Sequence, residues 1–264
     1  MTIETKRRGP MRPITDLPET SDPLTGWLEL EKAGTFYKVG QALIGGSDPA
    51  LAPIGTELAD YSSEFGSVPS DWTWLNQGTS TITAWQRRML ITPQPGGAGV
   101  NAVRFFGPPS VPAGNWAART MVGFNSIVAN CGGGLMAYRA ASGDFTLQSA
   151  LARGAGTPMS CRLITGYWTD FATFGTVVRD DNPPLLEQRV WFMQTRYDGT
   201  LLYFDYSADN AVFFPVASVN AVTAIGGAPT RLGLAANAPA AADGSATSFR
   251  WLRVYSGANL NQGP

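Results

Sequence analysis

The stretch Arg189–Ser207, read as RVWFMQTRYDGTLLYFDYS, constrains the fold more than any other part of the chain. Two runs rich in Val, Trp, Phe, Tyr and Leu flank Asp198-Gly199, and Asp-Gly between β-formers predicts a tight hairpin whose two central residues take positive φ. Successive side chains of a strand point to opposite faces. On the first arm Trp191, Met193, Thr195 and Tyr197 therefore share one face, nearly all large and apolar, which is expected to be buried. Val190, Phe192, Gln194 and Arg196 share the other. On the second arm Leu202, Phe204 and Tyr206 oppose Leu201, Tyr203 and Asp205, and bulk on both faces predicts a sheet covered on one side by a second sheet.

Similar runs recur from Val68 onward with turn signals between them. Strands are expected near Trp72–Gln77, Ser80–Ala84, Arg87–Ile91, Asn101–Phe106, Trp116–Phe124, Gly134–Arg139, Phe145–Leu151, Ser160–Tyr167 and Thr173–Arg179. After the hairpin come Val212–Pro215, Arg231–Ala235 and Ser248–Tyr255. Roughly a dozen strands without sustained helical periodicity is the count of a two-sheet antiparallel jelly-roll sandwich. Charged residues make up only 15% of the 264, against about 25% in an average soluble protein, which fits the same class.

The chain ahead of the sandwich reads differently. Residues 1–23 hold Pro10, Pro13, Pro18 and Pro23 with few large apolar groups, so an extended arm is expected. Within residues 24–46, Trp27, Leu28 and Leu30 predict a short strand, Ala33-Gly34 a turn, and Phe36, Tyr37 and Val39 a return strand. Gln41–Ile44 then reads as one helical turn stopped by Gly45-Gly46. A hairpin module this small needs support from a larger domain, from its own copies or from a partner. Residues 47–67 read as a linker with one helical turn near Glu57–Tyr61, residues 68–258 as the sandwich, and 259–264 as a tail.

Several chemistries are disfavoured by what the chain lacks. A net charge of −1 gives no global field toward nucleic acid or an anionic membrane. The basic cluster Lys6, Arg7, Arg8 and Arg12 sits in the arm, either as a solvated tail or as a segment that orders against a larger assembly. With no histidine, Ser-His-Asp and Cys-His arrangements and His-containing metal sites are out of reach. Cys131 and Cys161 have neither metal-ligand spacing nor the density of a disulfide scaffold, and a sandwich of this size does not need them bridged. The basic start runs into no apolar stretch, so no signal peptide is expected, and no run approaches the roughly 20 apolar residues of a membrane-spanning helix.

Glycan recognition asks for an aromatic platform with polar partners at a loop edge. The segment Tyr167-Trp168-Thr169-Asp170 offers one, and Asn115-Trp116 a second; the alternative for both is packing at the core or rim. Gly96-Gly97-Ala98-Gly99 and Gly132-Gly133-Gly134 lack the context of a phosphate loop and read as hairpin loops, and Ala235–Ala246 as a flexible excursion.

Two resemblances follow from particular residues. Leu24-Thr25-Gly26, Leu28-Glu29-Leu30, Ala33-Gly34-Thr35 and Tyr37-Lys38-Val39 through Leu43-Ile44 resemble a hairpin-plus-helix module near the N-termini of tailed-phage fibre and other virion proteins. Asp71-Trp72-Thr73-Trp74-Leu75-Asn76-Gln77-Gly78, the hairpin from Val190-Trp191 to Asp209, and Gly233-Leu234 with Asn237 followed by Phe249, Trp251, Arg253 and Val254 resemble the concanavalin A-like lectin/glucanase fold. Enzymes of that fold carry Glu-x-Asp-x-x-Glu on a strand, because glycoside cleavage needs two carboxyl groups at fixed separation. That pattern is absent here: Glu187 is the only glutamate within Val68–Tyr255, and Asp180 with Asp181, and Asp205 with Asp209, read as turn caps. Lectins of the fold bind calcium through loop acids, to which Asp180-Asp181-Asn182 bears a loose likeness, but three adjacent residues cannot supply six to eight oxygens.

The resemblances imply a phage virion component, a tail fibre, spike or head decoration, that needs no cofactor and performs no catalysis. Its arm and module, through Lys6, Arg7, Arg8, Arg12, Trp27, Phe36 and Tyr37, would contact other virion proteins, while the sandwich would serve either to stabilise the particle or, through Trp168, Asp170, Tyr167 and Trp116, to face a host-surface glycan. A homotrimer assembled in the host cytoplasm, without nucleic acid or membrane insertion, is the implied state. The alternative is a carbohydrate-active enzyme or secreted glycan-binding protein, with Glu187 and a loop aspartate acting together.

Overall fold

The computed structural model of the chain describes residues 27–32, 35–40, 55–93, 102–124, 130–152, 161–181, 190–210, 213–238 and 246–257. The chain divides into two units, Met1–Ala52 and Pro53–Pro264. In the first, β1 (Trp27–Lys32) pairs antiparallel with β2 (Thr35–Gly40), from Trp27 opposite Gly40 to Lys32 opposite Thr35. These strands lie on either side of Ala33-Gly34, as expected. The arm over 1–23, the helical turn over Gln41–Ile44 and the tail over 259–264 lie outside the described residues.

The second unit is an antiparallel two-sheet sandwich. Its strands are β3 (Thr56–Glu57), β4 (Thr73–Leu75), β5 (Thr81–Trp85), β6 (Arg88–Thr92), β7 (Val103–Gly107), β8 (Trp116–Phe124), β9 (Gly132–Tyr138) and β10 (Phe145–Ala152). They continue with β11 (Cys161–Trp168), β12 (Phe174–Asp181), β13 (Val190–Tyr197), β14 (Leu201–Ser207), β15 (Phe214–Asn220), β16 (Arg231–Asn237) and β17 (Thr247–Ser256). One sheet has seven strands in the order β12-β11-β10-β9-β16-β7-β4; the other has eight, in the order β15-β14-β13-β8-β17-β6-β5 with β3 added on β17. One short helix, α1 (Ala221–Ile225), follows β15, capped by Asn220 Oδ1, which accepts from the Val222 and Thr223 amides, and closed by Gly226 at φ 80°.

The period-two reading of the central hairpin is met. Trp191, Met193, Thr195 and Tyr197 and, across the turn, Leu202, Phe204 and Tyr206 are buried between the sheets with Trp116, Phe249, Leu252 and Ile91. Burying each such side chain is worth about 1.5–3 kcal/mol, so this face supplies much of what holds the sheets together. The turn itself differs from expectation. Its central residues are Gly199, at φ 94°, and Thr200, because the Asp198 amide donates to the Leu201 carbonyl at 3.2 Å. Asp198 stands one place earlier and closes the turn, its Oδ1 accepting from the Thr200 and Leu201 amides and its Oδ2 from the Tyr203 hydroxyl.

Four further expectations are corrected. Gly132-Gly133-Gly134 is not a hairpin loop but the buried start of β9. A Cβ on these residues would collide with the carbonyl oxygens of Ala150, Ala235 and Gln148, so only glycine lets β9 lie this close to both neighbours. The linker expected through residue 67 ends sooner: β3 pairs with β17, Ser63 bridges Leu252, and Phe65 is 1% exposed, edge-on to Trp72 at 5.6 Å. Irregularly spaced apolar anchors, Leu58, Tyr61 and Phe65, hold this segment, which is why no periodicity marks it. The strand expected at Val212–Pro215 runs instead over Phe214–Asn220, as an edge strand that tolerates Pro215 beside a bulge. Finally, Ala235 to Asn237 belong to β16 and not to an excursion.

Candidate functional site

The site is built on the outer face of the seven-stranded sheet, where the alternation of β10, β11 and β12 turns one set of side chains away from the core between the sheets. Leu147, Ser149 and Leu151 come from β10, Arg162, Ile164, Gly166 and Trp168 from β11, and Phe174 and Val177 from β12. With Asn130 and Asn237 they line a cavity of about 180 Å3. That is smaller than the roughly 300–1,000 Å3 of sites for drug-sized molecules and suits a single ring-sized ligand.

An aromatic wall closes one end. Trp168 stacks on Phe145 with centroids 5.6 Å apart and planes 11° off parallel, and Phe174 meets Trp168 edge-on at 4.9 Å. Gly166 makes this possible, because a Cβ there would come within 2.9 Å of the Phe174 ring. The turn after Trp168 leans across the sheet, where the Phe171 carbonyl accepts from the Val103 amide at 3.1 Å and the Phe171 ring packs on Tyr138 and Phe145. Asp170 holds that turn together, its Oδ1 accepting from the Ala172 and Thr173 amides, each at 2.7 Å. These bonds, that from Ala172 foremost, lower the Asp170 pKa below the usual carboxylate value.

The other end is polar. Arg162 donates from Nε to Asp180 Oδ1 at 2.7 Å and from Nη2 to Asp180 Oδ2, while its Nη1 faces Asn130 Oδ1 at 3.5 Å. The hydrogen bonds to Asp180 raise the Arg162 pKa further, keeping the guanidinium charged. Asn237 donates from Nδ2 to the Asn130 carbonyl at 3.0 Å and accepts from the Ala102 amide, so its amide orientation is set by backbone on both sides. The lining thus offers rings at one end and a cation with two oriented amides at the other, the two kinds of contact that a hydroxyl-rimmed apolar ligand uses.

The four residues singled out for a ligand are not brought together. Trp168 lines the cavity, though only 6% exposed. Tyr167, its neighbour on β11, points to the opposite face and packs against the core between the sheets. Asp170 serves the turn. Trp116, 1% exposed and 5.9 Å from Tyr197, is a core residue no ligand reaches. Of the attachment residues, Lys6, Arg7, Arg8 and Arg12 lie outside the described residues, and on the β1–β2 ladder Trp27 stands opposite Gly40, Phe36 opposite Glu31 and Tyr37 opposite Leu30. Arg162 was missed, yet the alternation Arg162-x-Ile164-x-Gly166-x-Trp168 already places it on the Trp168 face.

The acids resolve differently from turn caps. Asp205 is a strand residue, 2% exposed and bound to Arg196, because β14 runs on through Ser207. Asp180 and Asp181 end β12 and pair with Arg162 and Arg179. Glu187 and Asn182 lie outside the described residues, among which no three His, Cys, Asp or Glu residues cluster as metal ligands. No helix among the described residues is long and apolar enough to cross a membrane.

No protein-family model matches the chain, and no curated protein sequence does. Its fold is similar to solved jelly-roll structures. A GH43 protein from Bacillus licheniformis superposes with a TM-score of 0.55 at 12% identity over 76% of this chain and 40% of that one. The present chain thus spans well under half the length of that protein. The CBM2 module of the evolved Dit of Lactobacillus casei BL23 phage J-1 gives 0.53 at 9% identity over 76% and 96%. The exoplasmic/lumenal domain of VIP36 in its calcium-bound form gives 0.50 at 8% identity over 76% and 92%. At these identities the likeness is one of fold, that of a lectin-like jelly-roll sandwich.

Proposed function

We propose that the sandwich is a non-catalytic carbohydrate-binding domain, with its ligand seat in the cavity on the outer face of the seven-stranded sheet. The observation that carries this reading is that one cavity of about 180 Å3 is lined at one end by the Trp168–Phe174 rings and at the other by Arg162, Asn130 and Asn237. The reading as non-catalytic is supported by Asp180, which does not line the cavity and is held bidentately by Arg162, which does. Glycoside cleavage asks for two carboxyl groups at fixed separation, and among the described residues no Asp or Glu lines the cavity itself. The test is glycan binding, by array and then calorimetry, by the full chain and by Ile164→Trp, which fills the cavity from a half-buried position. Binding lost in Ile164→Trp with an unchanged circular dichroism spectrum is expected; no glycan bound, equal binding by the variant, or release of reducing ends overturns the reading.

The biological setting that fits is a phage virion, with residues 1–46 docking on the particle and the protein present in three copies. The order of basic arm, hairpin and jelly roll supports it, as does the fold likeness to the phage Dit module. Particles assembled with a chain lacking residues 1–46 are expected to lack the protein; incorporation of that shortened chain would exclude docking through this region.

A further inference from the structure

The outer face of the eight-stranded sheet, opposite the cavity, concentrates arginines that form no ion pair among the described residues. Arg88 on β6 and Arg250 on β17 are exposed and line one shallow depression with Met121, Gly123, Val190 and Ser248. Arg87, also exposed, adjoins them in the β5–β6 turn. Arg119 on β8 donates from Nε to Gln194 and lies 4.2 Å over the Phe213 ring. Among the described residues none of these four has an ion pair. The acids nearby are already engaged: Asp205 is bound by Arg196 and Gln194, and Glu64 by Arg253.

One large ring stands free beside them. Trp85, opposite Arg88 in the β5–β6 register, is 57% exposed. The turn that carries it holds Gln86 and Arg87 at φ 48° and 56°. A two-residue turn of that hand is least costly with Asn-Gly, and each non-glycine residue in the left-handed region costs about 1–2 kcal/mol. Strain of this kind persists where the side chains it displays matter.

We infer that this face binds an anionic polysaccharide, one sugar ring lying on Trp85 while carboxylate or sulfate groups along the chain meet Arg88 and Arg250. Phe249 pairs with Met89, so Arg250 stands beside Arg88 on the neighbouring strand, about 4.8 Å away, while Arg119 lies opposite Arg253 further along β17; a polymer crossing the strands at Trp85 meets Arg88 and then Arg250. A nucleic acid fits less well. Single-strand readers stack successive bases on several rings, and among the described residues this edge exposes a single one; a net charge of −1 offers no wider field for a phosphodiester. This site and ligand class are independent of the cavity on the other sheet.

The experiment is binding of the full chain to polygalacturonate, with dextran and single-stranded oligothymidylate as comparators. Expected are binding of polygalacturonate and not dextran, and a loss of about tenfold or more when salt rises from about 50 to about 300 mM. Arg88→Ser with Arg250→Ser should abolish binding, and Trp85→Ala should weaken it by about three- to tenfold, the range of a stacking contact. All three residues are exposed, so the variants fold. Ile164→Trp, which blocks the cavity, should leave this binding unchanged and so separates the two sites. Equal binding of dextran, tighter binding of oligothymidylate, or an unaffected double variant overturns the inference.

Discussion

Arg196 reaches Asp205 across the β13–β14 ladder with two hydrogen bonds, Nε to Oδ2 at 2.7 Å and Nη2 to Oδ1 at 3.0 Å, with side chains only 6% and 2% exposed. Gln194 donates to the same Oδ2, so the carboxylate sits in a cage of donors. Removing one partner leaves the other charge buried. Asp205→Leu or Arg196→Met should each cost about 3–5 kcal/mol in urea denaturation, and the two combined should cost less than the sum. An additive double variant would show that the pair is not coupled.

Gly134→Ala is expected to be among the most damaging single changes outside any ligand site. The added methyl meets the Gln148 carbonyl oxygen and comes within 2.7 Å of Met193 Sδ, one on the neighbouring strand and one across the core. A loss above about 3 kcal/mol, or insoluble expression, is the outcome to look for; a shift of Tm within about 2 °C would mean that β9 has room to move.

The Asp198 carboxylate accepts from two amides and the Tyr203 hydroxyl. Burial alone would raise its pKa, but the bonds from Leu201, Tyr203 and Thr200 outweigh it and the net shift is downward. A carboxylate with a lowered native pKa stabilises the fold above its unfolded value of about 3.9, and that contribution disappears as pH falls through the native value. Asp198→Asn should therefore cost about 0.5–1.5 kcal/mol at pH 7, with the gap between variant and parent closing below pH of about 3. A gap independent of pH would assign the loss to geometry alone.

Cys131 and Cys161 flank Ala152, which donates its amide to the Cys131 carbonyl and stands opposite Cys161. Two strand spacings, about 9.6 Å, separate them, beyond the roughly 7 Å a disulfide spans. Burial pushes the Cys161 thiol up to about 12. Reductant should leave Tm unchanged, and Cys161 should resist iodoacetamide at pH 8 until the protein is unfolded. Alkylation of the folded chain at Cys161 would contradict this burial.

The sandwich was legible in the sequence wherever one strand carried its own pattern. The alternation from Trp191 to Tyr197 was enough to place the core face of β13. It failed where a neighbour decides the outcome: Gly132–Gly134 look like a loop until Ala150, Ala235 and Gln148 are seen against them. Asp205 looks like a turn residue until Arg196 is set beside it. The cavity was half legible. Trp168 stood out by its ring, whereas Asn130 and Asn237 come from chain positions more than a hundred residues apart and meet only through the sheet order. The helix α1 is five residues long, too short for a period to show.

The pairing of β3 with β17 sets Thr56 against Ser256 and Glu57 against Tyr255. The polypeptide thus enters and leaves the sandwich through one doorway, with Gly55 lying so close to Ser256 that no side chain fits between them. A domain with adjoining entry and exit behaves as a cassette: spliced into a surface loop of an unrelated host protein at residues 55 and 257, it should fold without prising that loop apart.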